Sequence, residues 1–139
     1  GVEADAGRAA RMYAELLEHA PRLAGSMLAW IRATHPDPAL RDGEQAVRIA
    51  RNLVEQPAAS GPSLADLHDT LAAALAEAGD PAVAVTAQRR ALTLLEQEAT
   101  PGLAGFDIAE RRAGQQRRLA AYRSGRPWRD PDFTARNTG

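Results

Sequence analysis

Residues 63–98 read SLADLHDTLAAALAEAGDPAVAVTAQRRALTLLEQE, and this stretch decides the fold. Ser63 stands three residues before an aspartate, in the position of a capping box at a helix N-terminus. Leucines then repeat on one helical face as far as Gly79, which is a natural C-terminal stop. The aspartate and proline that follow match an N-cap and a first-turn proline. The stretch therefore predicts an antiparallel pair of helices over residues 63–78 and 81–98.

The flanking sequence carries the same helix punctuation. Pro21, the two prolines that follow His35, and Pro57 each end an apolar segment, because proline has no amide hydrogen to continue a helical ladder. Asp42 caps the third segment, with a glutamine three residues later. A last helix is expected to end at Gly125. The predicted helices are 6–20, 22–34, 43–56, 63–78, 81–98 and 104–124, in one domain over residues 1–128 with a flexible tail at 129–139.

The composition favours an all-α protein and excludes several chemistries. The 139 residues include 31 alanines and 17 basic residues, all of them arginine, with no lysine and no cysteine. Alanine, leucine, arginine and glutamate favour helices, and only 4% of the residues are aromatic, so strand formers are scarce. Without cysteine there is no disulfide, thiolate nucleophile or cysteine-ligated metal. Without lysine there is no Schiff base and no phosphate-loop lysine.

The sequence gives few indications of location. No stretch approaches the ~18 uninterrupted apolar residues of a membrane span, so we expect no membrane contact from this segment. The chain begins with glycine and not methionine, which we interpret as either a processed form or, in preference, a piece of a longer protein. Alanine and arginine without lysine are typical of a GC-rich bacterial genome, and a cytoplasmic and a periplasmic-facing location fit equally well.

Small residues recur at fixed positions in the predicted helix pairs. The leucine-alanine pair at Leu71 is repeated at Leu28, and alanines of the partner helices stand at matching places, Ala46 and Ala84. This pattern resembles the tetratricopeptide repeat (TPR) in its degenerate bacterial form, with 38 residues between the two alanines against 34 in the standard unit. The resemblance implies a right-handed stack of about three antiparallel helix pairs, an α-solenoid, with a C-terminal capping helix. It also implies the C-terminal part of a longer protein, and a non-catalytic scaffold that binds other proteins.

In the family that the chain resembles, the first helix of each pair lines a concave groove that holds an extended peptide or a helix. One end of the corresponding surface here is acidic, so we expect a protein or peptide partner of basic or basic-apolar character. Trp30 fits the groove and the core equally well. The helix over residues 6–20 would face a missing partner helix, which predicts self-association through its apolar side. The register of the resemblance gives this groove lining: Ser26, Met27, Trp30, Thr34, Asp66, Asp69, Thr70, Ala73 and Glu77.

Charge is unevenly distributed along the chain. Residues 1–110 hold 9 arginines and 16 acidic residues, whereas residues 111–139 hold 8 arginines and 2 acidic residues. An arginine cluster with interleaved aromatics could grip phosphates, which makes a nucleic-acid-binding adaptor one alternative. The net charge of −1 and the lack of a recognition motif disfavour it. The simpler interpretation is a capping helix with a solvated outer face. The patch consists of Arg111, Arg112, Arg117, Arg118, Arg123, Arg126 and Arg129.

Catalytic and metal-binding patterns are missing from the sequence. His19, His35 and His68 are the only side chains that titrate near neutrality, and none has a partner at metal-helix spacing. The glycines form no phosphate cradle, and no serine lies in a nucleophile elbow. We therefore expect no enzyme activity, no metal and no cofactor. A further alternative is an accessory domain of a larger bacterial enzyme such as a membrane glycosyltransferase.

Overall fold

The structure is a computed structural model that describes residues 11, 15, 18, 20–56, 62–98 and 105–133, without the side chains of residues 105–107. This part of the chain is helical and contains no strand, so the all-α class is confirmed. A 3₁₀ turn, Pro38–Leu40, separates the first two helices. The α-helices are α1 (Pro21–Thr34), α2 (Gly43–Glu55), α3 (Leu64–Glu77), α4 (Pro81–Glu98) and α5 (Gly105–Arg123).

The bounds of α1 to α5 differ by at most one residue from those expected from the sequence. Of the expected helix at residues 6–20, Arg11, Glu15 and Glu18 are helical and exposed. Its apolar positions Met12, Tyr13 and Leu16, on which the expected self-association depends, lie outside the described residues. Self-association therefore stays a prediction.

Local side-chain chemistry sets the helix ends. Ser63 Oγ accepts a hydrogen bond from the Asp66 amide at 3.2 Å, and Asp42 Oδ1 accepts one from the Gln45 amide at 3.0 Å. At the C-terminal end of α3, Gly79 adopts a φ of +94°, a left-handed conformation that costs glycine little. Because the chain reverses there, α4 starts directly beside α3.

Alanines form much of the core between the helices. Ala33, Ala46, Ala73 and Ala74 make one buried cluster where α1, α2 and α3 meet. Helix α3 packs against α1, α2 and α4, and α4 packs in turn against α5. Small side chains allow this close approach. At Gly43 it is so tight that a Cβ atom would lie 2.6 Å from the backbone nitrogen of Ala78.

The chain returns across α1 and α3 after α5 ends. We call residues 126–133 the C-terminal segment. The Asp130 amide donates to the Thr34 carbonyl at 3.1 Å, and the Phe133 ring lies 4.7 Å from the His35 ring. Where the sequence predicts a flexible tail from residue 129, the structure thus places residues up to Phe133 against α1 and the turn after it. Residues 134–139 lie outside the described part.

Candidate functional site

The face shared by α1 and α3 is organised around one arginine of α5. Arg118 makes a two-pronged salt bridge with Asp69, with Nε 2.8 Å from Oδ1 and Nη2 2.9 Å from Oδ2. Both side chains are mostly buried, with 16% and 14% of their surface exposed. The guanidinium also lies 5.6 Å from the centre of the Trp30 ring and 5.9 Å from that of Trp128. One cation therefore connects α3, α1, α5 and the C-terminal segment.

The other two carboxylates expected to line an acidic groove are also paired within the chain. Asp66 accepts from Arg111 at 2.9 Å, and Glu77 accepts from Arg129 at 2.7 Å. Glu77 binds Arg41 as well, at 3.0 Å. The acids of the predicted groove thus meet the arginines of the predicted basic patch.

A polar cluster lies behind the central salt bridge. Gln88 and Gln115 are fully buried, and Gln88 Nε2 donates to Gln115 Oε1 at 3.4 Å. Tyr122 is also buried, and its hydroxyl has no hydrogen-bond partner in the described structure. Burial raises the pKa of Asp69 even though Arg118 favours its charged form. Burial, together with the Asp69 charge, raises the pKa of Tyr122 and keeps its hydroxyl protonated.

Sequence reasoning did not assign these polar residues to the site. One signal was available, because Gln88 occupies a position where the resembled repeat has a large apolar residue. Nothing in the local sequence distinguishes Gln115 or Tyr122 from ordinary positions of an amphipathic helix. Their role depends on α5 lying against α4, a long-range contact.

The structure brings only part of the predicted groove lining together. Ser26, Met27, Trp30 and Thr70 surround a cavity of about 370 Å³, which the C-terminal segment closes on one side. Trp30 is half-buried, and its indole Nε1 donates to Asp130 Oδ2 at 2.6 Å. It thus belongs to the edge of the core and to the cavity wall.

Two other predicted groove positions are covered. Ala73 is 1% exposed and lies in the alanine core. Thr34 is fully buried, and its hydroxyl donates to the Trp30 carbonyl at 2.7 Å. Neither side chain can contact a partner in this structure.

The predicted basic patch does not form one open surface. Arg111, Arg112, Arg118 and Arg129 pair with carboxylates of α3 and α4. Arg126 donates to Ser124. Among the described residues, Arg117, Arg123 and Arg126 are exposed and lack an ion-pair partner. The arginines therefore serve mainly to attach α5 and the C-terminal segment to the helices before them.

The two histidines that the structure describes, His35 and His68, have surroundings that fit a structural role and not a catalytic one. His35 Nδ1 accepts from the Asp37 amide at 3.0 Å. Burial and the nearby Arg90 lower the pKa of His68. The described residues include no group of three acidic or histidine side chains that could hold a metal ion. None of the helices described is both long and apolar enough to cross a membrane.

Comparisons with protein-family models, with curated proteins and with solved structures find no match to this chain. The function of the chain must therefore be inferred from the geometry and charge of the chain's own residues. The relevant features are the cavity on the α1–α3 face and the arginines that cover the rest of that face.

Proposed function

We propose that this chain is a non-catalytic interaction module that binds a basic or basic-apolar peptide on the face formed by α1 and α3. In this proposal the helix pairs form a right-handed stack of the tetratricopeptide type, and α5 caps it. The contacts support this arrangement, because α3 lies between α1, α2 and α4, and α5 packs on α4. The first helices of two successive pairs then lie side by side.

One observation carries the proposal: the face already holds arginines from a distant part of the same chain. Asp69 and Arg118 are 49 residues apart in sequence, and Asp66 and Arg111 are 45 apart. Carboxylates next to an indole ring are well suited to a guanidinium, which forms paired hydrogen bonds in one direction and stacks in another. The α5 arginines are thus an internal example of the ligand chemistry that this face accepts.

The same geometry limits where a partner can bind. Asp69 is buried beneath Arg118, and Glu77 holds Arg41 and Arg129, so these acids have little capacity for an external cation. A part of the face that stays open is the cavity of about 370 Å³ beside Trp30. A partner would therefore make few charged contacts and would combine them with apolar ones.

We do not propose nucleic-acid binding, because most arginines of the patch are neutralised by carboxylates of the chain. Phosphates would have to compete with these ion pairs, and the three exposed arginines without a carboxylate partner among the described residues, Arg117, Arg123 and Arg126, make a weak electrostatic footprint. No observation on the described residues favours an enzyme accessory role.

Isothermal titration calorimetry with three nine-residue peptides tests the proposal. The peptides alternate leucine with arginine, with glutamate or with citrulline, the neutral counterpart of arginine. We expect heat of binding from the arginine peptide only, with a modest dependence on salt. The proposal is overturned if the arginine peptide does not bind, or if duplex DNA or RNA binds more tightly with a steep loss of affinity as salt rises.

A further inference from the structure

Two cavities are lined in part by Trp30 and share further lining residues. The first cavity, which Met27 and Phe133 also line, measures about 370 Å³, and the second measures about 430 Å³. Trp30, Asp130 and Asp132 line both. Arg118 and Arg117 line the second cavity only. The same tryptophan and the same aspartates therefore line one cavity together with arginines and the other, among the described residues, without any.

The first cavity has an apolar and an acidic part to its lining. The apolar part includes Met27, Ile31 and Phe133, and none of the described basic residues lines the cavity. Met27 is 43% exposed, so the cavity is open to solvent. Such a combination suits a side chain with an apolar stem and a cationic head.

The two aspartates of the lining, Asp130 and Asp132, are held in different ways. Asp130 is fixed, because Oδ2 accepts from the Trp30 indole, Oδ1 accepts from the Asp132 amide, and its own amide donates to the Thr34 carbonyl. The Asp132 residue is exposed, and its carboxylate has no ion-pair partner among the described residues. A cation in the cavity would therefore meet one preorganised carboxylate and one that is free to turn toward it.

We propose that this cavity is a pocket for one arginine side chain of the partner. The inference depends on the proposed function and specifies how the partner is recognised. A flat guanidinium can pack against the indole of Trp30 and form paired hydrogen bonds to a carboxylate, which a compact ammonium cannot do equally well. Arg118 already has both kinds of contact, to Trp30 and to Asp69. The volume lies at the lower end of the range for ligand sites and leaves room for a single arginine side chain.

The test combines calorimetry with NMR on the whole chain. The probes are leucine-flanked peptides that carry one central arginine, lysine or citrulline. Since the chain has two tryptophans, its spectrum should contain two indole N–H signals, which a Trp128→Phe variant assigns. We expect the arginine peptide to shift the Trp30 signal more than the Trp128 signal. The citrulline peptide should bind about tenfold to a hundredfold more weakly, because the charge-assisted hydrogen bonds are lost.

Two variants locate the bound arginine. Asp132→Asn should weaken binding about two- to fivefold, as expected for an exposed ion pair. Met27→Arg places a fixed cation in the cavity and should weaken it about tenfold or more. Val83→Arg is the matched control, because Val83 is 42% exposed and lies on α4, away from the cavity, and it should bind like the wild type.

The possible results distinguish a failure of the proposed arginine pocket from a failure of the proposed function. If the arginine peptide binds but Met27→Arg and Val83→Arg bind it equally well, the pocket is overturned and the interaction module stands. Equal binding of the citrulline peptide, or an unmoved Trp30 signal, also overturns the pocket. If no arginine peptide binds at all, the proposed function fails together with the pocket.

Discussion

Replacing Arg118 by methionine tests whether the central salt bridge holds the C-terminal part of the chain to the helix pairs. The change keeps most of the side-chain volume but leaves the Asp69 carboxylate without its cation. Removing one partner of a fully buried ion pair costs about 3–5 kcal/mol. Because 14% of the Asp69 side chain is exposed, we expect the lower end, about 3 kcal/mol. Lost contacts with the two indole rings are included in this figure.

Urea unfolding followed by tryptophan fluorescence measures the effect. For a chain of this size an m-value of about 1.5 kcal/mol per molar urea is reasonable, so 3 kcal/mol corresponds to a midpoint lowered by about 2 M. Arg117→Met is the control, since the neighbouring Arg117 is exposed and has no ion-pair partner in the described part of the chain. It should change stability by less than about 0.5 kcal/mol.

A double-mutant cycle with Asp69→Asn isolates the salt bridge from packing. The coupling between Arg118→Met and Asp69→Asn should be about 1.5–3 kcal/mol, the range for hydrogen bonds to charged groups. If Arg118→Met costs less than about 1 kcal/mol, or if the two changes are additive within about 0.5 kcal/mol, the central role assigned to this pair is refuted.

Three other features give predictions that simple measurements can check. Gly43→Ala should cost about 1–3 kcal/mol because its Cβ would lie 2.6 Å from the backbone nitrogen after α3, whereas Gly25→Ala, with its nearest contact at 3.4 Å, should be neutral or stabilising. Thermal melts that rank the two variants in the opposite order would contradict this. Glu77→Gln should speed tryptic cleavage after Arg129, because the substitution weakens the 2.7 Å ion pair between Glu77 and Arg129 that holds the C-terminal segment. An unchanged cleavage rate would show that other contacts hold the segment. The lowered pKa of His68 makes the native state resist protonation, so stability should be full above pH 6.5 and fall as the pH drops through and below that value. When urea midpoints are measured at a series of pH values, His68→Gln should reduce this loss of stability at low pH.

Helix limits were predictable because their signals are local. The hydroxyl of Ser63 accepts from an amide three residues later, and Gly79 adopts the positive φ that its position after a helix predicts. The proline after residue 80 starts α4 as expected. Each signal acts within one turn of helix, so it can be read from neighbouring residues without knowing the rest of the fold.

The candidate site was less predictable because its contacts join distant parts of the chain. Trp30 and Asp130, whose side chains bond at 2.6 Å, are 100 residues apart in sequence. The C-terminal segment has prolines and no helical pattern, which is typical of a loose tail. The segment is fixed by the indole N–H of Trp30, the backbone carbonyl of Thr34 and the carboxylate of Glu77. None of these contacts can be inferred from residues 126–133 alone.

The uneven charge of the sequence also acquires a physical explanation. An acidic first part and a basic last part can indicate a basic partner, a phosphate ligand or attraction within the chain, and composition does not distinguish the three. Here Arg111, Arg118 and Arg129 are paired with carboxylates of α3. Ion pairs that are satisfied internally are no longer available at full strength to a partner, since any ligand must first compete with them. The specificity of this face should therefore depend on the few charges left over, of which Asp132 beside Trp30 is the best placed.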